Sequence, residues 1–514
     1  MRIGVDVGGT NTDAALMDGA KVVASVKSPT TEDIATGVIG AIRSVLKEAQ
    51  QDPSVVRTVM IGTTQFTNAF VERKRLSEVA VLRLALPATQ SLPPMTDWPE
   101  ALVNAIGRNI FWIEGGYEFD GREIMPFNER QVLDAVRNIK KLGIRAVAVS
   151  SVFSPINPEM ERRAQEIILN EIPDVKVTLA SDIGRIGLVE RENAAIMNSS
   201  LADLSARVVG SFREALINLG ITAPFYISQN DGTLMSADYV ERYPVLTFAS
   251  GPTNSMRGAA YLSGLKEAIV VDIGGTTADV GVLTHGFPRE SSVPVDIGGV
   301  RTNFRMPDIL AVGLGGGSIV RDGEDLTVGP DSVGYRLIRE GLAFGGDVMT
   351  ATDIAVAAGH VQIGDVARVK RLVPDRVVDA ALDIIHRTVE DAVDRMKTSV
   401  EDVPVVLVGG GSILINRDLR GASEIHVPAR SAEANAIGAA IAQVGGETDR
   451  VFRYAEQGRD AALASAMREA EEKAVSAGGD PETFKVIDVE ELPLSYGPGD
   501  AVRVRVKVVS DLVQ

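Results

Sequence analysis

The chain has 514 residues, of which 45% are hydrophobic and 24% charged, a composition typical of a globular protein with a large core. Its formal net charge of −17 disfavours a nucleic acid or an anionic membrane as partner, because both need a basic surface. It contains no cysteine, which excludes disulfides, thiolate metal sites and thiol nucleophiles. We find neither a signal-peptide pattern nor an apolar run approaching about 18 residues, so we expect a cytoplasmic protein that spans no membrane.

The N-terminal elements predict an antiparallel meander followed by a helix and a further strand. The pattern of apolar and turn residues predicts strands at 2–7, 14–17 and 21–26, a helix at 31–51 and a strand at 55–61. Asp18-Gly19 is typical of a hairpin turn. The strand at 55–61 ends in Gly62-Thr63-Thr64, and the next helix begins at Asn68. Prolines and glycines over residues 87–127 predict a loop-rich insertion.

From residue 128 onward, helices alternate with short apolar strands, which predicts α/β layers. The expected helices lie at 128–142, 190–219, 375–396, 432–443 and 456–476, and the expected strands at 146–152, 175–179, 225–228, 245–248, 403–408, 485–489 and 501–508. We divide the chain into an N-terminal lobe over 1–188, a second lobe over 189–446 and a small C-terminal α+β unit over 447–514.

A short motif occurs twice, once in each expected lobe. It reads Asp-(Val/Ile)-Gly-Gly-Thr with a further acid three residues later, first from Asp6 to Asp13 and again from Asp272 to Asp279. Each copy follows an apolar strand and precedes another strand. A single copy is readily a tight turn without further role. Two copies in the same context indicate a duplicated architecture in which the hairpins face each other.

The residue types of the motif are suited to binding phosphate. Glycine lets backbone N–H groups approach an anion closely, and threonine hydroxyls donate to phosphate oxygens. A carboxylate repels phosphate, but Asp6 and Asp272 can hold Mg²⁺ through water. We therefore predict a clamp for the phosphates of ATP. Its residues are Gly8, Gly9, Thr10 and Asn11 in the first hairpin and Gly274, Gly275, Thr276 and Thr277 in the second.

Two further features complete the predicted site. Asp13 and Asp279 are placed to reach a γ-phosphate or an attacking group, and either acid is a candidate base, although each equally suits a role in bracing its hairpin. An apolar strand at 403–408 runs into Gly409-Gly410-Gly411-Ser412, which suits a wall for adenosine; a plain strand-to-helix turn is the alternative. Neither the Walker-A pattern nor the Rossmann glycine spacing is present.

Together these features resemble the superfamily of actin, heat-shock chaperones and sugar kinases, which implies an α/β fold with duplicated actin-like (ribonuclease H-like) ATPase lobes. Within it, the chain resembles the hydantoinase A/5-oxoprolinase family over essentially its full length. Besides the two hairpins, the stretches that carry the resemblance are 62–73, 116–124, 153–158, 228–236, 250–252, 315–318 and 502–506.

This resemblance implies ATP-dependent opening of a cyclic amide or imide, such as a hydantoin or 5-oxoproline, through phosphorylation of the amide oxygen. It also implies a second, B-type hydrolase subunit, and we expect an oligomer. We assign Gly62, Thr63, Thr64 and Asn68 to the substrate. The chain departs from the family pattern at Ile61, where a histidine is usual, and at Asn11, where a bulky aromatic is common. Since residues 1–284 contain no histidine, we expect no histidine metal site in this half.

Two other functions are compatible with the same clamp. A small-molecule kinase would release a stable phosphorylated product, whereas the hydrolase would couple phosphate release to ring opening. A regulatory module would bind nucleotide without substrate-stimulated turnover and use it to switch its lobes. The fold alone does not choose among these functions.

Overall fold

The computed structural model describes residues 1–8, 11–30, 34–494 and 501–513. Gly9 and Thr10, two of the predicted phosphate ligands, lie outside these residues. The strands are β1 (Arg2–Val7), β2 (Asn11–Asp18), β3 (Lys21–Pro29), β4 (Thr58–Thr63), β5 (Val79–Leu86), β6 (Asn109–Glu114), β7 (Ala146–Ser151), β8 (Lys176–Leu179), β9 (Phe225–Ser228), β10 (Leu234–Ser236), β11 (Ala268–Ile273), β12 (Ala278–Thr284), β13 (Phe287–Pro288), β14 (Val295–Ile297), β15 (Val300–Thr302), β16 (Ile309–Val312), β17 (Ser318–Arg321), β18 (Thr327–Ser332), β19 (Val403–Val408), β20 (Ala422–His426), β21 (Val444–Arg453), β22 (Lys485–Pro493) and β23 (Ala501–Ser510).

The helices are α1 (Ile34–Glu48), α2 (Gln65–Val71), α3 (Glu100–Ile106), α4 (Glu129–Leu142), α5 (Glu159–Glu171), α6 (Ala180–Ile183), α7 (Leu188–Ser200), α8 (Ala202–Asn218), α9 (Ala237–Arg242), α10 (Ser250–Ser263), α11 (Leu337–Glu340), α12 (Ala351–Ala357), α13 (Val366–Leu372), α14 (Asp375–Met396), α15 (Ala434–Ile441), α16 (Tyr454–Gln457) and α17 (Arg459–Ser476). None of the helices in the described residues is long and apolar enough to cross a membrane.

The first sheet is built around the N-terminal meander. Its strand order is β22-β23-β21-β10-β9-β4-β1-β2-β3. β1, β2 and β3 pair antiparallel, as the sequence predicts, while β4 runs parallel to β1. On β1, Ile3, Val5 and Val7 are buried in the largest apolar cluster together with residues of α1. This alternation fixes which face of β1 meets α1, since a slip of one residue would turn all three side chains toward α15, where Gly4 packs closely.

The second sheet repeats this arrangement. Its order is β13-β12-β11-β19-β20, and β16 also pairs with β12, on the edge that faces away from β11. β11 pairs antiparallel with β12 and parallel with β19, as β1 does with β2 and β4. β16 takes the position of β3, because it pairs antiparallel with the second strand of the hairpin. The predicted α/β fold with duplicated actin-like lobes is therefore confirmed.

A third sheet is inserted between β4 and β9. It is parallel, in the order β6-β5-β7-β8, and α4 and α5 contribute to its apolar core. The expectation of a loop-rich insertion over 87–127 is partly wrong, because α3 and β6 lie within it. The strand was not predicted because it is only half-buried along most of its length and its pattern is too short to distinguish by periodicity.

Sheet membership does not follow the predicted division at residues 188 and 446. β9 and β10 were assigned to the second lobe but belong to the first sheet, where β9 pairs with β4 and β10 with β9. β21, β22 and β23 extend the same sheet instead of forming a separate unit. Two elements also differ: 190–219 is broken at Leu201 into α7 and α8, and 245–248 lies in a 3₁₀ turn, Pro244–Thr247. The physical reason for the first difference is that periodicity identifies a strand but not its partner, which here lies far away in the sequence.

A buried group of charges joins the second lobe to the C-terminal strands. Glu290, which follows β13, accepts a hydrogen bond of 2.6 Å from Arg185, and Lys507 on β23 lies 3.3 Å from it. Lys507 also lies 3.1 Å from Asp231, which Arg305 approaches to 3.2 Å. Buried charges of this kind are stable only when each has partners. The group therefore ties the segment after β13 to the first sheet.

Two helices that contact each other connect the two lobes. α10 packs on β11 and β19, and α15 packs on β1 and β2. Where the helices cross, a Cβ at Gly258 would overlap the carbonyl oxygen of Ala434, and a Cβ at Gly438 would overlap that of Asn254. The small-residue helix predicted at 432–443 is thus a close-packing helix, and its glycine is required by backbone-to-backbone contact.

We expect Gly438→Ala to destabilise the protein by about 2–4 kcal/mol, because the added methyl group must push two backbones apart. Urea unfolding would measure the free energy. Gly210→Ala in α8 is the matched control, since nothing lies within 4 Å of its Cβ position. There the substitution should raise the stability by up to about 1 kcal/mol through helix propensity. Equal effects of the two substitutions would contradict the tight crossing.

Candidate nucleotide site

The two motifs place pairs of acids at equivalent positions. Asp6 near the end of β1 lies opposite Asp13 on β2, and Asp272 near the end of β11 lies opposite Asp279 on β12. Each hairpin therefore carries two carboxylates side by side across an antiparallel ladder. Like charges at such positions repel, which indicates that the arrangement serves something other than stability.

The turns of the two hairpins also correspond. The N–H of Gly8 donates to the carbonyl of Asn11 over 2.9 Å, and the N–H of Gly274 donates to the carbonyl of Thr277 over 2.9 Å. The predicted residues Gly275, Thr276 and Thr277 lie on the second turn, where both threonines are exposed. The threonine hydroxyls can therefore meet an anion in the cleft, as the clamp requires.

A glycine stands over the first acid in each lobe. Gly62, at the end of β4, is paired with Asp6, and a Cβ there would overlap the Asp6 carboxylate. Gly409, just after β19, has a φ of 81°, and a Cβ there would overlap the carboxylate of Asp272. The stretches assigned to substrate and to adenosine thus begin at equivalent points of the two lobes, which the sequence alone did not reveal.

The remaining residues assigned to the substrate differ in accessibility. Thr63 is buried; its hydroxyl accepts from the N–H of Gln65 at 3.2 Å, and its backbone bonds to the hydroxyl of Ser250. Asn68 on α2 is exposed and donates to the Thr64 hydroxyl over 3.4 Å. Thr64 and Asn68 are therefore open to a ligand, whereas the hydroxyl of Thr63 serves the turn. Their binding of substrate stays a prediction.

The second glycine stretch lies directly against the second hairpin. Gly411 approaches the backbone of Ile273 and Gly274, and a Cβ on it would lie 3.1 Å from the carbonyl oxygen of Gly274. Gly410 is exposed with open space around its Cβ position, and Ser412 is half-buried. The stretch continues as a 3₁₀ turn, Gly410–Leu414. The role of Gly409, Gly410, Gly411 and Ser412 in binding adenosine stays a prediction.

Two asparagines that the sequence reading missed hold Asp6. The amide of Asn254 on α10 donates to one carboxylate oxygen over 3.0 Å, and that of Asn435 on α15 donates to the other over 3.3 Å. Burial raises the pKa of Asp6, and the two amide hydrogen bonds oppose this rise. Burial likewise raises the pKa of Asp272, and the hydroxyl of Ser255 opposes it. Consecutive residues of α10 therefore act on the acids of both lobes.

The second acids of the two motifs lie in different environments. Asp13 forms an ion pair of 2.8 Å with Lys27, but burial still raises the pKa of Asp13 to about 6. Asp279 faces Ala311 on β16, and burial, followed by the charge of Asp272, raises its pKa to about 7. Asp279 is thus the carboxyl group better suited to accept a proton near neutral pH.

We expect Asp279→Asn to stabilise the protein increasingly as the pH rises from about 4 to 7. The folded pKa lies above the ordinary value of 3.8, so the wild-type carboxyl loses its contribution to stability across this interval. The difference should reach on the order of 2–3 kcal/mol above pH 7, at about 1.4 kcal/mol for each pKa unit and with allowance for partial exposure. Urea unfolding at pH 4.5 and pH 8 would measure it.

Asp18→Asn removes an exposed carboxylate from the end of β2 and is the control for the change of charge. A difference between Asp279→Asn and wild type that does not vary with pH would show that Asp279 is not a carboxyl group held in its neutral form by burial.

Comparison with known proteins identifies the family. Two sequence models match, one described as the hydantoinase/oxoprolinase N-terminal region at residues 2–172 and one as hydantoinase/oxoprolinase at residues 191–403. The chain belongs to the hydantoinase/oxoprolinase family. The resemblance inferred from the two hairpins and the stretches between them is thereby confirmed.

Curated relatives in this family are subunits of larger enzymes. The chain is 28% identical over 398 residues to the acetophenone carboxylase gamma subunit of Aromatoleum aromaticum, covering 70% of this chain and 53% of that subunit. It is 26% identical over 385 residues to the caprolactamase subunit alpha of Pseudomonas jessenii, covering 71% and 55%. The matches thus span about half of the length of these relatives.

A solved structure shares the fold. The ATP-dependent caprolactamase of Pseudomonas jessenii superposes with a TM-score of 0.78 and 19% identity, covering 100% of this chain and 88% of that chain. At this identity, the similarity establishes the arrangement of the lobes and no more.

Proposed function

We propose that this chain is the ATP-binding subunit of a family enzyme that activates a carbonyl oxygen by phosphorylation, with a cyclic amide or imide as substrate. The observation that supports the proposal most strongly is that the same arrangement occurs in both lobes, beside α10 and α15. In each lobe, an acid near the end of one strand is followed by a glycine turn, and a glycine at the end of the neighbouring parallel strand lies against that acid. Two such halves would hold a triphosphate between them. A partner subunit would complete the hydrolysis.

The residues present suit Mg²⁺ and phosphate. Asp6 and Asp272 supply carboxylate oxygens, the donors that Mg²⁺ prefers, and the glycines at positions 62 and 409 leave room for these carboxylates to pack against the neighbouring strands. The Oδ1 atom of Asn254 is buried beside Asp6 without a hydrogen-bond partner among the described residues, so it can accept from a water of the ion. Mg²⁺ held through water would supply positive charge to the phosphate oxygens.

Phosphorylation of the carbonyl oxygen would overcome the low reactivity of an amide substrate. The carbon atom of an unstrained amide is a poor electrophile. If the amide oxygen attacks the γ-phosphorus and ADP leaves, the oxygen becomes part of a phosphate leaving group, and water can then add to the carbon. Asp279 would accept a proton in this sequence. Positioning and charge stabilisation would account for most of the rate enhancement.

The relatives favour a carbonyl compound as substrate. Their names refer to caprolactam, a cyclic amide, and to acetophenone, a ketone, and both compounds carry a carbonyl oxygen that ATP could phosphorylate. One of the two departures from the usual family pattern, Ile61, is fully buried on β4. It therefore packs in the core and offers the cleft no proton donor or metal ligand.

A substrate screen would test the proposal. Purified protein, with and without any co-purifying subunit, would be supplied with Mg-ATP and with hydantoins, 5-oxoproline, caprolactam or ketones with bicarbonate. ATP hydrolysis coupled to ring opening supports the proposal. A stable phosphorylated product would indicate a kinase, and nucleotide binding without stimulated turnover would indicate a regulatory module; either result would overturn the hydrolase function.

We expect Asp272→Ala to abolish measurable Mg-ATP turnover while the protein remains folded. Loss of one charge-stabilising group typically costs about 10²–10³-fold in rate, or roughly 3–4 kcal/mol. Asp325→Ala, which removes an exposed acid from the turn between β17 and β18, is the matched control in the same lobe. Thermal unfolding would verify the fold of both variants. A turnover near that of wild type in Asp272→Ala would contradict the clamp.

A further inference from the structure

A lysine lies on β3, the strand next to the first hairpin. Lys27 lies on β3 directly opposite Asp13, and its ammonium is 2.8 Å from the Asp13 carboxylate. The side chain of Lys27 is 36% exposed, whereas that of Asp13 is 8% exposed. The ion pair therefore has one buried member, which is fixed, and one member that reaches solvent.

A β-bulge places Lys27 at this position. Near the turn, Met17 pairs with Val22, and the same register would put Val26 opposite Asp13. The register shifts between Leu16 and Met17, so that Lys27 faces Asp13 instead. Bulges of this kind commonly re-aim a side chain near a functional site. The charge thus lies beside the acid because of an irregularity in the strand.

The charge of Lys27 acts across the cleft. It lowers the pKa values of Asp6 in its own lobe and of Asp272 in the other lobe. The positive charge of Lys27 therefore acts on both acids between which the phosphates would lie. The second lobe offers no equivalent cation at the corresponding place, because β16 puts Ala311 opposite Asp279.

We propose that Lys27 binds the terminal phosphate of the nucleotide and that Asp13 is a positioning residue that holds Lys27. This inference rests on the proposed function as an ATP-dependent subunit. Under this inference, the two acids that occupy equivalent positions in the motif have different roles. Asp13 orients a cation, and Asp279, which faces an alanine, takes part in proton transfer.

The geometry allows Lys27 to serve both partners at once. An ammonium has three donors, and among the described residues Lys27 donates to Asp13 only. The remaining donors can bind phosphate oxygens without breaking the ion pair. A flexible lysine stem with a compact charge suits a phosphate that changes position during transfer.

Lys27→Met tests the inference, because it keeps the length of the side chain and removes the charge. We expect the affinity for Mg-ATP to fall about tenfold or more and turnover to fall about 10²-fold, whereas the affinity for Mg-ADP should change less than about twofold. Lys27→Arg should restore part of the ATP affinity. Lys21→Met, at the exposed start of the same strand, is the matched control and should change neither affinity.

A double-mutant cycle tests the role of Asp13. If Asp13 acts through Lys27, Asp13→Asn combined with Lys27→Met should be no slower than Lys27→Met alone. The double variant also removes the buried carboxylate that the single variant leaves unpaired, so it remains informative if Lys27→Met folds poorly. A further loss of turnover of tenfold or more in the double variant would show that Asp13 has a catalytic role of its own.

The outcomes distinguish this inference from the proposed function. Wild-type protein that binds no Mg-ATP would overturn both. Wild-type protein that hydrolyses ATP, with a Lys27→Met variant that retains ATP affinity and turnover, would overturn the inference alone. Equal losses of ATP and ADP affinity would also overturn it, because they would show that Lys27 only supports the hairpin.

Discussion

The contact between α10 and α15 is the constraint on which the site depends. Because Gly258 and Gly438 let the two backbones touch, the asparagines at positions 254 and 435 reach the same carboxylate from two helices. One helix packs on the second sheet and the other on the first. The position of Asp6 is therefore set jointly by both lobes, and a change in the crossing would move the donors away from it.

Burial of acids in this cleft opposes folding and indicates function. Asp6, Asp13, Asp272 and Asp279 all have raised pKa values, with burial as the largest cause. Hydrophobic residues of similar size would stabilise such a site better. Groups with strongly shifted pKa values that share a cleft are typical of sites where charge is handled during a reaction.

How much the sequence revealed depended on the distance between interacting residues. The two hairpins and the glycine turns at positions 62 and 409 could be recognised because turn glycines after apolar strands are local signals, although the contact of these two glycines with the acids could not. Asn254 and Asn435 could not, since they meet Asp6 across 248 and 429 positions. Lys27 is nearer to Asp13 in the sequence, but it lies opposite Asp13 only because of the bulge. A regular hairpin with the register found near the turn would place Val26 opposite Asp13 instead.

Because of the duplication, the two halves of the cleft are nearly equal, and nearly equal halves do not by themselves fix the orientation of a bound triphosphate. A symmetric clamp would present the same donors to either end of a triphosphate, so the chain of phosphates could enter in two orientations. The equivalent positions opposite the second acids carry Lys27 in one lobe and Ala311 in the other, and this difference breaks the symmetry. A single change of side chain on the third strand would thus give the cleft a polarity, which transfer of one phosphate in one direction requires.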